Sequence, residues 1–126
     1  MRTQILTPLL QVSALAGLLT IAGCRQSGVT VDVVNDTSQV IETITLTGET
    51  GVASAAIPSE TVGPLAPGKQ QRVVLSEITG EGSYSIQVVF EDGRELKGAG
   101  GAYVEGGYRM SETVKETEII SETDLY

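Results

Sequence analysis

The sequence predicts an all-β domain, a sandwich or small barrel, and three observations predict it. Apolar residues recur at every second position in several short runs, the period of a strand with one buried face. Those runs are rich in Val, Ile and Thr, whose branched β-carbons suit a pleated surface. Gly, Pro and Asx clusters punctuate the chain at roughly 8–12-residue intervals, the spacing of short strands in sandwiches and barrels. Beyond the first two dozen residues no stretch carries the 3.6-residue period of an amphipathic helix.

About seven strands are expected after Gly28. Val29, Val31 and Val33 alternate with Thr30 and Asp32, and Asn35-Asp36-Thr37-Ser38 then supplies side chains that bond their own backbone in a turn. Val40 to Thr47 sets Ile44 and Leu46 on one face against Thr43, Thr45 and Thr47 on the other, with Gly48-Glu49-Thr50-Gly51 as its end. Val52 to Ile57 reads as a weak strand or a packed loop, and Pro58, Gly63 and Pro64 exclude a helix after it. Ala66-Pro67-Gly68-Lys69 has Pro and Gly where a type II turn wants them, followed by a strand burying Val73 and Leu75. Thr79-Gly80-Glu81-Gly82 is expected to turn the chain again.

Tyr84, Ile86, Val88 and Phe90 form the cleanest alternation, and Asp92-Gly93 is a hairpin signal with Arg94 to Lys97 returning. Gly98-Ala99-Gly100-Gly101 and Gly106-Gly107 break the pattern. Tyr108, Met110 and Val114 share a phase, and Glu118 to Ile120 closes the domain, leaving 121–126 as a polar, frayed tail.

The first 23 residues differ in kind. Arg2 precedes an apolar run from Ile5 to Ala22 that is broken by Thr7, Pro8, Gln11 and Ser13. A membrane-spanning helix wants about 20 predominantly apolar residues, whereas a secretory signal wants a basic start, a short apolar stretch and small residues at its end. Ile21-Ala22-Gly23-Cys24 resembles the lipobox of bacterial lipoproteins. The resemblance implies cleavage between Gly23 and Cys24 and lipid attachment at the Cys24 thiol, with further acylation of the new amino group. Two or more chains give the durable membrane hold that one does not. It also explains why an exported chain has a single, unpaired cysteine. Residue 25 is Arg, not the Asp associated with inner-membrane retention. That implies an outer-membrane location facing the periplasm or the surface, where the host has two membranes. The expected organisation is a signal over 1–23, lipidated Cys24 with a flexible tether over 24–28, and one domain over 29–120.

Composition narrows the function classes. The chain has 126 residues, with 8 basic and 16 acidic side chains; loss of Arg2 with the signal would leave 7 against 16, a net charge of −9. Six of the acids follow Gly101: Glu105, Glu112, Glu116, Glu118, Glu122 and Asp124. Phosphate contacts need clustered Lys and Arg, so nucleic acid is excluded as a partner. There is no His, and with Cys24 lipidated no free thiol, so the commonest general base and the best zinc ligands are missing. Ser54, Ser59 and Ser76 lie in no Gly-x-Ser-x-Gly elbow. The expectation is a protein without enzymatic activity, cofactor or resident metal.

Val33-Val34-Asn35, Leu65-Ala66-Pro67-Gly68, Val73-Val74-Leu75 and Tyr84 through Gly93 follow one another in an order that resembles small exported immunoglobulin-like or transthyretin-like β-sandwich domains. The resemblance implies a single small sandwich and carries no activity.

Three constellations remain as candidate sites. Tyr103 and Tyr108 flank the second half of the glycine-rich segment, and tyrosine is enriched at protein interfaces, so they mark the expected partner surface. That suits an envelope protein partner for a membrane-anchored structural or accessory module. The alternative is a small-ligand or Ca²⁺-binding module using end loops 91–95 and 98–107, in which Glu91, Asp92 and Glu95 supply carboxylate oxygens. Asn35-Asp36-Thr37 also matches a glycosylation acceptor, a pattern that in this position reads as a turn.

Overall fold

The computed structural model describes residues 28–50, 55–56 and 58–124. The expected signal, cleavage site and Cys24 lie outside the described residues.

Among the described residues ten strands form two packed sheets. They are β1 (Val29–Asn35), β2 (Ile41–Thr50), β3 (Ala55–Ala56), β4 (Glu60–Val62), β5 (Gln70–Leu75), β6 (Glu81–Phe90), β7 (Glu95–Gly98), β8 (Val104–Glu105), β9 (Arg109–Val114) and β10 (Ile119–Asp124). The first sheet has the order β10-β9-β1-β5. The second runs β3-β2-β6-β7, with β4 also on β2 and β8 also on β6. Every pairing is antiparallel except β1 with β9, which is parallel. The fold is an all-β sandwich, as the alternation predicts.

The core is the interleaving of the two inner faces. Val29, Val31 and Val33 of β1, Val73 and Leu75 of β5, and Met110 and Val114 of β9 come from the first sheet. Ile41, Ile44 and Leu46 of β2 and Tyr84, Ile86, Val88 and Phe90 of β6 come from the second. The chain's one phenylalanine is fully buried. Ile41 and Ile44 are both buried although three residues apart, because a bulge shifts the β2–β6 register between Ile41 and Thr43. The extra residue lets Ile41 return to the inner face.

The expected turns are present in specific forms. Gly68 has φ 78° and Lys69 N–H donates to Ala66 O at 3.1 Å, as a type II turn requires. The 91–93 hairpin uses a three-residue loop rather than a two-residue one. Gly93 N–H donates to Phe90 O at 2.8 Å, Phe90 N–H donates to Arg94 O at 2.8 Å, and Gly93 has φ 91°. This is a type I turn followed by a left-handed residue.

Five expectations are corrected. β2 runs through Gly48 to Thr50 because the ten-residue β6 offers partners as far as Gly82. The turn placed at Thr79–Gly82 lies earlier, after Leu75, and Ile78 behind it is fully buried, so β6 already begins at Glu81. β3, β4 and β8 add short strands where the sequence shows a weak run or breaks. Residues Ser121–Asp124 are not a frayed tail: β10 pairs with β9 from Ile119↔Val114 to Asp124↔Arg109. Its side chains are mostly exposed, so the ladder's backbone bonds, not apolar burial, order it. Gly28 is not part of a free tether, for its carbonyl accepts from Gly107 N–H at 2.7 Å. A Cβ there would lie 2.9 Å from Ser76 Cα.

Candidate functional site: the tyrosine face and the buried glutamate beneath it

The glycine-rich segment folds back onto β6. Tyr84 N–H donates to Gly101 O at 2.9 Å, and Gly106 N–H donates to Gly80 O at 3.0 Å. The glycines are there because the Tyr84 ring lies against them. A Cβ on Gly101 would sit 2.8 Å from Tyr84 Cε1 and 2.5 Å from Val104 Cγ1. Gly100 has φ 64°, and a Cβ on it would meet Tyr84 O at 2.5 Å. The segment is therefore packed, not a free binding loop. Gly100→Ala is expected to destabilise the domain by about 1–3 kcal/mol in denaturant unfolding, combining left-handed strain with overpacking.

This packing brings together the two tyrosines that the sequence singles out. A turn closed by Tyr108 N–H donating to Glu105 O at 3.0 Å doubles the chain back. The Tyr103 and Tyr108 rings then meet edge to face with centroids 6.5 Å apart. Tyr103 is 52% exposed while Tyr108 is half-buried against the core. Tyr103 OH donates to the Glu105 carboxylate. That bond, with the nearby charges of Glu105 and Glu81, holds the Tyr103 phenol up at about 12.

Beside the tyrosines a shallow groove crosses the outer face of the second sheet. Glu49, Glu81, Ser83, Ala102 and Tyr103 line one part of it, and Thr47, Ser85 and Ala99 extend it. Glu49 is the ladder partner of Ser83, and Glu81 is the ladder partner of Glu105. Alternation along β6 puts Glu81 and Ser83 on the face opposite buried Tyr84, so all three carboxylates share the outer face.

Under this face lies a residue the sequence analysis missed. Glu112 of β9 is fully buried, with no exposed surface. Tyr84 OH donates to its Oε2, and Ser121 Oγ donates to its Oε1 at 2.6 Å. Its ladder neighbours are Val33 on one side and Ser121 on the other. Burial raises its carboxyl above the usual 4.5, against the opposing effect of the Ser121 and Tyr84 hydrogen bonds. Burial, and then the bond to Glu112, likewise drives the Tyr84 phenol far up. The signal was available: Met110-x-Glu112-x-Val114 puts the glutamate in phase with the core.

The other sequence candidates are dispersed. Asp92 Oδ1 accepts from Arg94 N–H at 2.9 Å, and Glu95 Oε1 accepts from Gln87 Nε2 at 2.8 Å. Glu91 and Asp92 border a second groove with Ser38, Gln39 and Val40, at the opposite end of β6 from the tyrosines. Two carboxylates are well short of the six to eight oxygens a calcium ion takes. Among the described residues no group of three or more acidic, His or Cys side chains converges for a metal. Loop 98–107 and loop 91–95 thus lie at different ends and do not form one site. Asn35 is fully buried with both amide hydrogens donated, to Gln39 O at 2.8 Å and Leu65 O at 2.9 Å. In the folded domain it is a turn residue and not a glycan acceptor. Among the described residues no helix is long and apolar enough to cross a membrane.

No protein-family model matches the chain, and no curated protein matches it. Among solved structures, it is similar to a protein from Eubacterium rectale determined by NMR. The TM-score is 0.55 at 15% identity, covering 75% of this chain and 87% of the other. That likeness shows the fold alone. A disulfide-locked mutant of intermedilysin with human CD59 aligns at a TM-score of 0.38 and 5% identity, over 79% of this chain and 24% of the other.

Proposed function

We propose that this chain is a lipid-anchored, non-enzymatic module of the bacterial cell envelope that binds a protein partner through its tyrosine face. Cys24 carries the lipid, and in a host with two membranes the module sits at the outer one. The observation that carries the reading is the position of Gly28. Its carbonyl is bonded to Gly107, next to Tyr108 and two residues from Glu105, so the chain leaves the domain at the tyrosine end. Only three residues separate Gly28 from Cys24. At about 3.5 Å per extended residue the four steps between them reach roughly 14 Å. A lipid on Cys24 therefore keeps the tyrosine face close to the membrane surface, where an envelope partner would meet it.

Two measurements test this. The wild-type chain is expected in the detergent phase and the membrane fraction, and Cys24→Ser is expected in the aqueous phase. Retention of Cys24→Ser in the membrane fraction would sink the anchor. A photo-crosslinking residue at position 103 of the anchored protein is expected to give a defined adduct in cells. The same residue at position 92, at the far end of the sandwich, is expected to give none.

A further inference from the structure

We propose that the occupant of the tyrosine face is a cationic, extended segment of a membrane-surface protein. A Lys or Arg side chain of that segment would lie among Glu49, Glu81 and Glu105, with Tyr103 against it. This rests on the reading that the face binds protein, and adds the partner's chemistry.

The argument begins with a pairing that disfavours the fold. Glu81 and Glu105 are direct ladder partners on β6 and β8. Like charges directly opposite on a sheet are destabilising. Glu49 adds a third carboxylate on the same face, on the next strand. No Lys or Arg is among the residues lining the groove. Four of the six described cations are committed elsewhere, and the other two, Lys69 and Lys97, form no salt bridge. Arg72 and Arg109 bind Asp32 on the outer face of the first sheet, at 2.8 and 3.5 Å. Lys115 binds Asp36 at 2.7 Å, and Arg94 lies over the Phe90 ring and beside Glu116. Among the described residues no salt bridge reaches Glu49, Glu81 or Glu105.

Tyr103 is a second and separate feature of the groove. Its ring is exposed, yet fixed by the edge of Tyr108 and by its bond to Glu105. A fixed, exposed aromatic offers a cation a π-face at small entropic cost, and Arg or Lys over Tyr is a favourable contact. A lipid surface is the wrong occupant, because anionic headgroups repel three carboxylates. Location narrows the partner further, since the three-residue tether would keep the groove near the membrane, where juxtamembrane basic segments lie.

The test is an NMR titration of the mature chain carrying Cys24→Ser. The probe is a hexapeptide alternating lysine and serine, compared with its glutamate–serine counterpart. Shifts are expected at Glu49, Gly82, Ser83, Tyr103 and Glu105 with the lysine peptide only. Tyr103→Ala and Glu81→Gln are each expected to weaken binding about five- to tenfold, and Glu81→Gln to raise Tm at the same time. Glu122→Gln removes the same charge from the outer face of the opposite sheet and is expected to change nothing. Equal weakening by Glu122→Gln, or shifts spread over the acidic surface, would overturn the proposal. So would tighter peptide binding in Arg25→Gln, which would make the chain's own tether the occupant. A defined adduct at position 103 in cells, with no lysine-peptide binding, would remove the cationic partner and leave the partner surface standing. Absence of that adduct with peptide binding intact would do the reverse.

Discussion

Glu112→Ala is expected to cost the domain about 3–5 kcal/mol when measured near pH 4, a large share of the roughly 5–15 kcal/mol that holds a domain folded. The substitution leaves two hydroxyls, those of Tyr84 and Ser121, facing a void among Val33, Met110 and Val114. Each stranded polar group costs about 1–3 kcal/mol, and the cavity adds to that. Glu112→Gln has the opposite character. Its amide oxygen can accept from Tyr84 and its amide nitrogen can donate to Ser121, at nearly unchanged volume. The sign of the pH dependence follows from the direction of the shift. Burial raises the folded carboxyl above 4.5, so the folded state holds this proton more tightly than the unfolded chain does. Stability from this group is fully present below about pH 4.5 and is lost as pH rises through the folded value. Tyr84, raised above 10, adds a second loss in the same direction at alkaline pH. Asp32 acts the other way. The Arg72 hydrogen bond lowers it below 3.8, so its small contribution is lost only as pH falls further. Thermal unfolding from pH 4 to pH 8 should therefore show a falling Tm in the wild type, and the Glu112-dependent part of that fall should vanish in Glu112→Gln. An unchanged slope in Glu112→Gln would mean that the buried carboxyl does not control it.

How far the sequence foretold this depends on what each strand buries. β1, β2 and β6 were legible because each carries its own period-two pattern of branched residues, and a strand with one dry face cannot hide it. β10 is legible only at its start, within Glu118 to Ile120, because only Ile119 among its residues packs against the core and the rest of its order comes from backbone pairing with β9. β3, β4 and β8 are two or three residues long, too short to repeat a pattern. Tyr103 and Tyr108 were picked out as residue types. Their contact depends on Gly107, whose φ of 95° lets the chain double back after Glu105, and on the glycines that lie against the Tyr84 ring. Charge misled at Glu112. It is one of the six acids after Gly101, and its phase with Met110 and Val114 is the better guide. Acids at Glu81 and Glu105 look alike in sequence, and only the β6–β8 ladder makes them opposite one another.

Asn35→Asp is expected to destabilise the domain by about 4 kcal/mol or more at neutral pH, and by more than Asn35→Ala. The ordering is the test, because it is the reverse of what size alone predicts. Asn35 ends β1 and joins three segments through one amide. Its Oδ1 accepts from Thr37 N–H at 3.0 Å and Thr37 Oγ1 at 2.7 Å, and its Nδ2 donates to Gln39 O at 2.8 Å and Leu65 O at 2.9 Å. All four bonds are used, and the side chain has no exposed surface. Leu65 in turn pairs with Ile41 through backbone bonds of 3.0 and 2.8 Å, so the amide ties the β1 turn to the start of the second sheet. Alanine removes the acceptor and both donors, stranding Thr37 N–H at about 1–3 kcal/mol before relaxation, while Leu65 O keeps its bond from Ile41 N–H at 3.0 Å and Gln39 O keeps the one from Thr37 Oγ1 at 3.0 Å. Aspartate keeps the volume and the Thr37 bonds, but puts a carboxylate oxygen where the amide donated. Two carbonyl oxygens then face a negative oxygen in a buried site, and the charge has no cation to meet it. Protonation would restore one donor, so Asn35→Asp is also expected to recover part of its loss as pH falls, whereas Asn35→Ala is not. Guanidinium unfolding at two pH values reads both differences. Equal stability of Asn35→Asp and wild type at neutral pH would show that the amide is not the joint between the sheets.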